Sequence, residues 1–257
     1  MTRKQLKIND HYISYLDNEK EGQPLICLHG HFGTGSMFLF MQQIHNSRLI
    51  LVDQRGHGYS SHTKTYERDD YINDLDEIIR FEKIINPIIL GHSLGGVNTY
   101  QYAARHKSVK AIIVEDIGTV VNCSNEFIKN IPDSFQSFFD VEQAFQKINM
   151  IYGPYFLESI RNDGLQWKFQ FDYEGMVISQ EKMNGIYWNE WAQLECPVLL
   201  MHGLNSWACT TENIIEMEKR NSHVKLITFP EVGHTIHDEC REKFCMDVQE
   251  FLKSFVN

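Results

Sequence analysis

The residue that could most clearly do chemistry is Ser93, at the centre of a G-x-S-x-G pattern over residues 91–95. The apolar residues 87–90 before it predict a strand, and residues 94–106 after it predict a helix. Glycines on both sides of the serine permit a tight strand-to-helix turn that lifts its hydroxyl clear of the backbone, and the N-terminus of the helix adds partial positive charge. This context favours a nucleophilic serine over a glycine turn with a purely structural role.

A histidine late in the chain could take the proton from this serine. A serine hydroxyl is a poor nucleophile until an adjacent imidazole accepts its proton. His234 follows Gly233 in a loop between the apolar run 224–229 and the last helical stretch. Most of the 12 histidines must be surface or structural residues, and we expect His237 to belong to the pocket or its support rather than to act as the base.

A glycine-containing loop, residues 28–35, directly follows another predicted strand. Such a loop can present a backbone N–H to the serine, where acyl transfer needs two donors for the oxygen that becomes negatively charged. We predict that these donors are the N–H groups of His31 and Leu94. A phosphate-binding loop and a plain connection are the alternatives, but no Gly-Lys-Ser/Thr follows and G-x-G-x-x-G spacing is absent.

Short apolar runs alternate with helical stretches along the chain, a pattern typical of a parallel sheet covered by helices. Several runs lack polar alternation, as expected where both faces of a sheet are buried. The sequence therefore predicts an α/β fold with a mostly parallel, doubly wound sheet. The predicted strands are 24–28, 48–53, 87–90, 109–114, 197–201 and 224–229, after an opening hairpin of 6–8 and 12–15, and the predicted helices are 70–83, 94–106, 211–220 and 238–256.

One segment, residues 118–191, breaks this alternation. It holds 15 of the 31 aromatic residues, a density that argues for a folded apolar unit rather than a linker. We predict a mainly helical cap at 118–191, packed over a core made of 1–117 and 192–257. Aromatic side chains also predict an apolar or aromatic substrate pocket, the alternative being that they form the cap's own core. The candidate pocket residues are Phe32, His92, Trp188, Trp207 and His237.

The composition excludes several classes of protein. The 24 Lys and Arg residues against 34 Asp and Glu give a formal net charge of −10, so nucleic acid and anionic membrane surfaces are not expected partners. The apolar runs are far shorter than the roughly 20 residues that span a bilayer, and the N-terminus lacks the apolar core of a secretion signal, which favours a cytoplasmic protein. The scattered cysteines are expected to be free thiols, no metal-ligand set is evident, and the oligomeric state stays unknown.

These motifs resemble those of the α/β-hydrolase superfamily, in its small-esterase branch with a variable cap. Residues 53–60 match that family's D-x-R-G-x-G-x-S loop, so the resemblance runs from about residue 6 to the C-terminus, with the cap the poorly matched part. It implies the α/β-hydrolase fold and an ester-cleaving activity without a cofactor. It also implies that Asp53 and Arg55 are structural and hold this loop by hydrogen bonds.

The sequence departs from the commonest family pattern at the catalytic acid. After the predicted strand 197–201, Ser206 stands where the usual aspartate would be. The form of this loop and the acidic pair after the sixth strand resemble a subgroup of bacterial acyl esterases and related mitochondrial hydrolases, which implies that Asp116 is the acid. Glu115 is the second choice, since it points to the opposite side if the strand continues, and the absence of a functional acid is the third.

The sequence thus predicts a serine hydrolase that cleaves a carboxylic ester of a small, largely apolar molecule. Ser93 attacks the carbonyl, His234 takes and returns the proton, and Asp116 orients the histidine. One alternative is a ligand-binding or signalling protein on the same fold. Another is a lyase or carbon–carbon bond hydrolase that uses the same three residues.

Overall fold

In the computed structural model, which describes residues 1–44, 47–148 and 154–255, helices pack around a central β-sheet. The strands, in chain order, are β1 (Thr2–Ile8), β2 (His11–Asp17), β3 (Gln23–Leu28), β4 (Ser47–Asp53), β5 (Ile88–His92), β6 (Ala111–Glu115), β7 (Val120–Val121), β8 (Ser134–Phe135), β9 (Ile160–Asn162), β10 (Trp167–Phe169), β11 (Gly185–Ile186), β12 (Val198–Gly203) and β13 (Val224–Phe229). The helices are α1 (Arg68–Phe81), α2 (Leu94–Arg105), α3 (Phe138–Lys147), α4 (Pro154–Glu158), α5 (Tyr173–Met183), α6 (Trp188–Ala192), α7 (Thr211–Arg220), α8 (Ile236–Glu239) and α9 (Arg241–Leu252), with 3₁₀ turns at Gly35–Gln43 and Glu126–Asn130.

The central sheet has eight strands in the order β1-β2-β4-β3-β5-β6-β12-β13. The pairs from β4 to β13 are parallel, while β1 with β2 and β2 with β4 are antiparallel. The opening hairpin and the mostly parallel, doubly wound order are therefore confirmed. The predicted burial of the strands holds except for 224–229, which is an edge strand where only Phe229 is buried. Most predicted strand ends lie within one or two residues of the observed ones.

Apolar side chains cover both faces of the sheet. Along β3, Ile26 and Leu28 belong to one buried cluster, while Leu25 and Cys27 belong to the other. This alternation confirms the prediction that strands without polar residues are buried on both sides. The first cluster continues into the segment 118–191, where it includes Trp191.

One prediction about the helices needs correction. The single helix predicted over 238–256 is divided into α8 and α9 at Cys240, whose φ of −138° and ψ of 49° are not helical. At the end of α8, Glu239 accepts hydrogen bonds from the N–H groups of Gly233 and Thr235. The segment 118–191 contains helices α3 to α6, but it also carries two small sheets, β8-β10-β9 and β11-β7.

The parallel strands bring the predicted chemistry to one edge of the sheet. Ser93 follows β5, Asp116 follows β6, and the loop with His234 follows β13. Because the carboxyl ends of parallel strands lie at the same edge, loops distant in sequence become neighbours there. Within the described part of the chain, no helix combines the length and the hydropathy required for a transmembrane segment.

Candidate active site

Ser93 occupies the sharp turn between β5 and α2. Its φ of 53° and ψ of −114° lie in a region that costs a non-glycine residue about 1–3 kcal/mol. A Cβ at Gly91 would overlap the backbone of Gly95, and a Cβ at Gly95 would overlap the carbonyl of Leu28. Both glycines are thus required by close backbone approach. The N–H of Ser93 donates to the carbonyl of Glu115 at 3.1 Å, which fixes the turn against β6.

Asp116 contacts the histidine that the sequence analysis selected. Its carboxylate is completely buried, and its Oδ2 accepts a hydrogen bond from Nδ1 of His234 at 2.7 Å. Asp116 has a φ of 50°, and its N–H donates to the carbonyl of Met201 at 2.9 Å. With Nδ1 of His234 held by the acid, the other ring nitrogen, Nε2, is free to serve as a base.

The carboxylate of Asp116 is held by more than one partner. Its Oδ1 accepts from His202 Nδ1 at 2.8 Å and from the N–H of Gly203 at 3.0 Å, and Ser206 Oγ donates to its Oδ2. Burial raises the pKa of Asp116, but hydrogen bonds from His202, His234 and Ser206 outweigh it and leave that pKa below its ordinary value. Ser206 therefore occupies the position where the commoner family pattern has its catalytic aspartate, and here its hydroxyl stabilises the ionised Asp116.

Ser93 and His234 face one cavity of about 520 Å³. Three of the predicted pocket residues, Phe32, His92 and Trp207, also line it. The indole of Trp207 is 74% exposed, and its ring centroid lies 4.8 Å from that of His234. Trp207 thus forms an open side of the cavity next to the base.

The two residues predicted to donate backbone N–H groups to the oxyanion are Leu94, which follows Ser93 in the chain, and His31, which lines the same cavity as Ser93. Leu94 begins α2, so its N–H is among those that have no acceptor within the helix. His31 lines the cavity, whereas the N–H of the next residue, Phe32, donates to Nε2 of His57 at 3.3 Å. This bond engages the N–H of Phe32, and the N–H of His31 stays the predicted oxyanion donor of this loop.

The imidazole of His31 has a separate structural part. Its Nε2 pairs with Ser179 Oγ at 2.8 Å, and the same hydroxyl contacts Tyr71 Oη at 2.7 Å. Burial lowers the pKa of His31 to about 3, so the ring is neutral at ordinary pH. The ring therefore ties the loop after β3 to α5 without adding charge to the cavity.

His92 supports the loop that carries the base. Its Nε2 donates to the backbone carbonyl of His234 at 2.9 Å. Burial, together with the nearby rings of His234 and His237, lowers the pKa of His92 well below its ordinary value. The neutral ring with its proton on Nε2 leaves Nδ1 as an acceptor, which faces Tyr155 Oη at 3.4 Å.

Glu115 and His237 form a completely buried pair behind the base. The N–H of His237 donates to Glu115 at 2.8 Å, and its Nδ1 contacts the two carboxylate oxygens at 2.8 and 2.9 Å. Burial lowers the pKa of His237, but the charge and hydrogen bond of Glu115 overcome it and leave that pKa raised. Glu115 thus holds α8 in place and does not contact His234 through its carboxylate.

Two predicted pocket residues lie elsewhere. His237 is not part of the cavity wall, because its side chain points into the interior toward Glu115. Trp188 is also absent from the wall; its ring packs beneath the guanidinium of Arg220 at 4.3 Å. The assignment of these two residues to the pocket is therefore wrong.

The sequence analysis did not assign several residues that line the cavity. The aromatic ones, Phe127, Tyr155 and Phe156, belong to the segment whose aromatic density was the available signal. Asn125 and Gln180 are also in the wall, and no sequence pattern pointed to them. Other aromatic residues of the segment, such as Phe135 and Phe169, pack against each other in the buried cluster, which agrees with the alternative that such residues form the segment's own core.

Two groups in the described part of the chain have the side-chain types of metal ligands: His92, Glu115 and His237, and Asp116, His202 and Cys209. Both groups are buried. Within each group, a histidine already hydrogen-bonds the carboxylate. Both groups therefore belong to the hydrogen-bonded support of the site.

The loop at residues 53–60 has the structural role predicted for it. Asp53 accepts from the N–H of Gly35 at 2.8 Å, and Arg55 contacts Asp74 at 2.7 and 2.8 Å.

The amino-acid sequence is similar to those of known hydrolases. The alpha/beta hydrolase family matches residues 25–247 of the chain. A proline iminopeptidase, PfmaB, of Pestalotiopsis fici is 26% identical, over 96% of this chain and 98% of the relative.

Solved structures share the architecture at low sequence identity. The crystal structure of E-2-(acetamidomethylene)succinate hydrolase has a TM-score of 0.84 at 18% identity, over 98% of this chain and 99% of its own. A marine microorganism esterase has a TM-score of 0.79 at 23% identity, over 93% of this chain and 99% of its own. At these identities, the likeness shows the fold alone.

Proposed function

The chain belongs to the alpha/beta hydrolase family, and we propose that this enzyme cleaves a carboxylic ester through Ser93, His234 and Asp116. The observation that carries the proposal is the 2.7 Å hydrogen bond from His234 Nδ1 to Asp116, in a site where His234 and the strained Ser93 share one cavity. A relay of this kind moves a proton during acyl transfer, whereas simple ligand binding does not need it.

The reaction proceeds in two halves. Ser93 Oγ attacks the ester carbonyl carbon while His234 Nε2 takes the hydroxyl proton. The negative oxygen is stabilised by the N–H groups of His31 and Leu94. Collapse of this intermediate breaks the bond to the alcohol, which leaves with the proton from His234.

Water then releases the acid. His234 removes a proton from a water molecule, which attacks the acyl-serine carbonyl, and the serine oxygen regains that proton as it leaves. Asp116 stabilises the positive imidazolium in both halves, and its lowered pKa keeps it ionised at neutral pH. The same three residues thus serve both steps.

The substrate is proposed to be small and largely apolar. Phe32, Phe127 and Phe156 line the cavity, whose volume of about 520 Å³ is in the range of small-molecule sites. Phe127 and Phe156 come from the segment 118–191, which we propose acts as a cap on a core formed by residues 1–117 and 192–257. The cap then supplies one wall of the acyl pocket.

The proposal is tested with p-nitrophenyl esters from acetate to octanoate. We expect turnover by the wild-type enzyme, none by Ser93→Ala, and unchanged turnover by the control Ser254→Ala, which alters an exposed serine after α9. Equal turnover by Ser93→Ala would overturn the proposal. Tight binding of an ester without turnover in the wild type would favour a binding protein, and a product lacking the free acid would favour a lyase.

A further inference from the structure

We propose that the cap wall of the cavity recognises a hydrogen-bond donor on the substrate through the side-chain carbonyl oxygens of Asn125 and Gln180. The preferred substrate is then an uncharged ester that also carries a hydroxyl or an amide N–H beyond the scissile bond. An ester bearing a carboxylate is disfavoured. This inference rests on the proposed ester hydrolysis and narrows its substrate class.

The orientation of Gln180 is fixed by a chain of hydrogen bonds. Asn184 Oδ1 accepts from the N–H of Cys123 at 3.0 Å, and Asn184 Nδ2 donates to the carbonyl of Cys123 at 2.9 Å. These two bonds define which end of the Asn184 amide is oxygen. That oxygen also accepts from Gln180 Nε2 at 2.9 Å, so the Gln180 carbonyl oxygen is directed away from Asn184.

Asn125 is oriented in the same manner. Its Nδ2 donates to the backbone carbonyl of Met176 at 3.2 Å, which turns its Oδ1 away from α5. Met176 lies one helical turn before Gln180 in α5, so Asn125 is hydrogen-bonded to the helix that carries Gln180. Both side chains line the cavity although each residue is at most 6% exposed.

The two oxygens are available as acceptors. Among the residues that the structure describes, neither Oδ1 of Asn125 nor Oε1 of Gln180 accepts a hydrogen bond. Neither is among the buried polar atoms that are sealed from solvent without a partner. An amide oxygen of this kind is satisfied by a donor in the cavity, and a bound apolar group that leaves it unpaired is disfavoured because the oxygen then has neither water nor a donor.

The charges around the cavity favour a neutral donor over a carboxylate. No lysine or arginine is among the described residues that line it. The acidic residue Glu239, which is also in the wall, is exposed and accepts the N–H of Gly233 at 2.8 Å. A substrate carboxylate would meet two carbonyl oxygens and a negative charge without a cation, while the apolar remainder of an uncharged ester fits the aromatic walls.

The test compares ester pairs that differ in one group. On the acyl side, p-nitrophenyl 3-hydroxybutyrate is compared with p-nitrophenyl butyrate and with the p-nitrophenyl monoester of succinate. On the alcohol side, 2-hydroxyethyl butyrate is compared with propyl butyrate by titration of the released acid. We expect kcat/KM to be about tenfold higher for the hydroxylated member of at least one pair, and about tenfold lower for the succinate ester than for the butyrate.

The variants assign this preference to the cap. Gln180→Met should bring the ratio of hydroxylated to plain ester close to one, while the matched control Gln146→Met, on the exposed side of α3, should keep the wild-type ratio. Equal kcat/KM within both wild-type pairs, or a ratio unaffected by Gln180→Met, would overturn the inference.

Failure of the proposed function is separable from failure of this inference. Ser93-dependent turnover of p-nitrophenyl butyrate without a hydroxyl preference leaves the hydrolase intact and refutes the donor site. If no ester is turned over, calorimetry with the Ser93→Ala protein compares the binding of ethyl 3-hydroxybutyrate with that of ethyl butyrate. Tighter binding of the hydroxylated ester supports the donor site, and equal binding refutes it.

Discussion

Replacing Glu115 with glutamine should destabilise the protein in a pH-dependent manner. Glu115 and His237 are both completely buried, and the carboxylate accepts the N–H of His237 at 2.8 Å and its Nδ1 at 2.8 and 2.9 Å. Glutamine keeps the size of the side chain and one acceptor oxygen but removes the negative charge. The substitution therefore isolates the ionic part of this contact.

The size of the effect follows from the bonds that are changed. A hydrogen bond between charged groups contributes about 1.5–3 kcal/mol and a neutral one about 0.5–1.5 kcal/mol. The substitution turns the ionic contact with the His237 ring into a neutral hydrogen bond and weakens the hydrogen bond from the His237 N–H. Together these two changes should lower the free energy of unfolding by about 2 kcal/mol. The loss is less than for an unpaired buried ion, because His237 can lose its proton once Glu115 is gone.

The pH dependence has a definite sign. The pKa of His237 is raised above its ordinary 6.5 in the folded protein. The stabilisation by its protonated form is therefore fully present below 6.5 and is lost as the pH rises through the raised folded value. Glu115→Gln should thus cost most at about pH 6 and least at about pH 9.

Urea unfolding of both proteins at the two pH values measures this difference. The control Glu250→Gln, which removes an exposed partner of Lys253, should leave the free energy of unfolding at the wild-type value, because solvent screens an exposed ion pair. A Glu115→Gln protein with an unchanged midpoint, or with the same loss at both pH values, would show that the buried pair is not ionised as described.

Three further predictions concern the catalytic groups, each measured as p-nitrophenyl butyrate hydrolysis. Asp116→Asn should lower kcat by up to about 10⁴-fold, because the His234 ring loses its orientation and its counter-charge; activity within tenfold of wild type would reject Asp116 as the acid. Ser206→Ala removes a hydrogen bond that lowers the pKa of Asp116, so the acid limb of the pH–rate profile should move to higher pH, and an unmoved limb would contradict this. Gly30→Ala places a Cβ 2.5 Å from Tyr155 Oη, 2.9 Å from His92 Nδ1 and 3.0 Å from the Cβ of Ser93 and should reduce kcat by about 100-fold without preventing folding, whereas full activity would show that the loop has space there.

Local sequence patterns were sufficient to predict the turn and the strands that position the catalytic residues. The turn at Ser93 could be predicted because the glycines on both sides are adjacent in sequence and their function depends on close backbone approach. The strands that end at the site could be predicted because their continuous apolar character reflects burial on both faces. Asp116 was selected by family resemblance together with the serine at position 206.

Contacts between distant segments were the part that sequence could not predict. The orientation of Gln180 depends on Asn184 and on the backbone of Cys123, and no periodicity in a single segment encodes such a chain of bonds. His237 was assigned to the pocket because it is close in sequence to His234, yet the short α8 turns its ring toward Glu115. Trp188 was misplaced for a similar reason, since aromatic type alone does not distinguish the cavity from the outer packing of the fold.

Covalent labelling of the nucleophile tests the central claim most directly. Diisopropyl fluorophosphate is reacted with the wild-type enzyme, with His234→Ala and with the Ser254→Ala control, and the adduct is located by mass spectrometry of peptides. The account predicts one adduct per chain on Ser93, loss of all ester turnover in step with labelling, the same result for Ser254→Ala, and strongly slowed labelling of His234→Ala. An adduct on another residue, or undiminished turnover after complete labelling of Ser93, would contradict it.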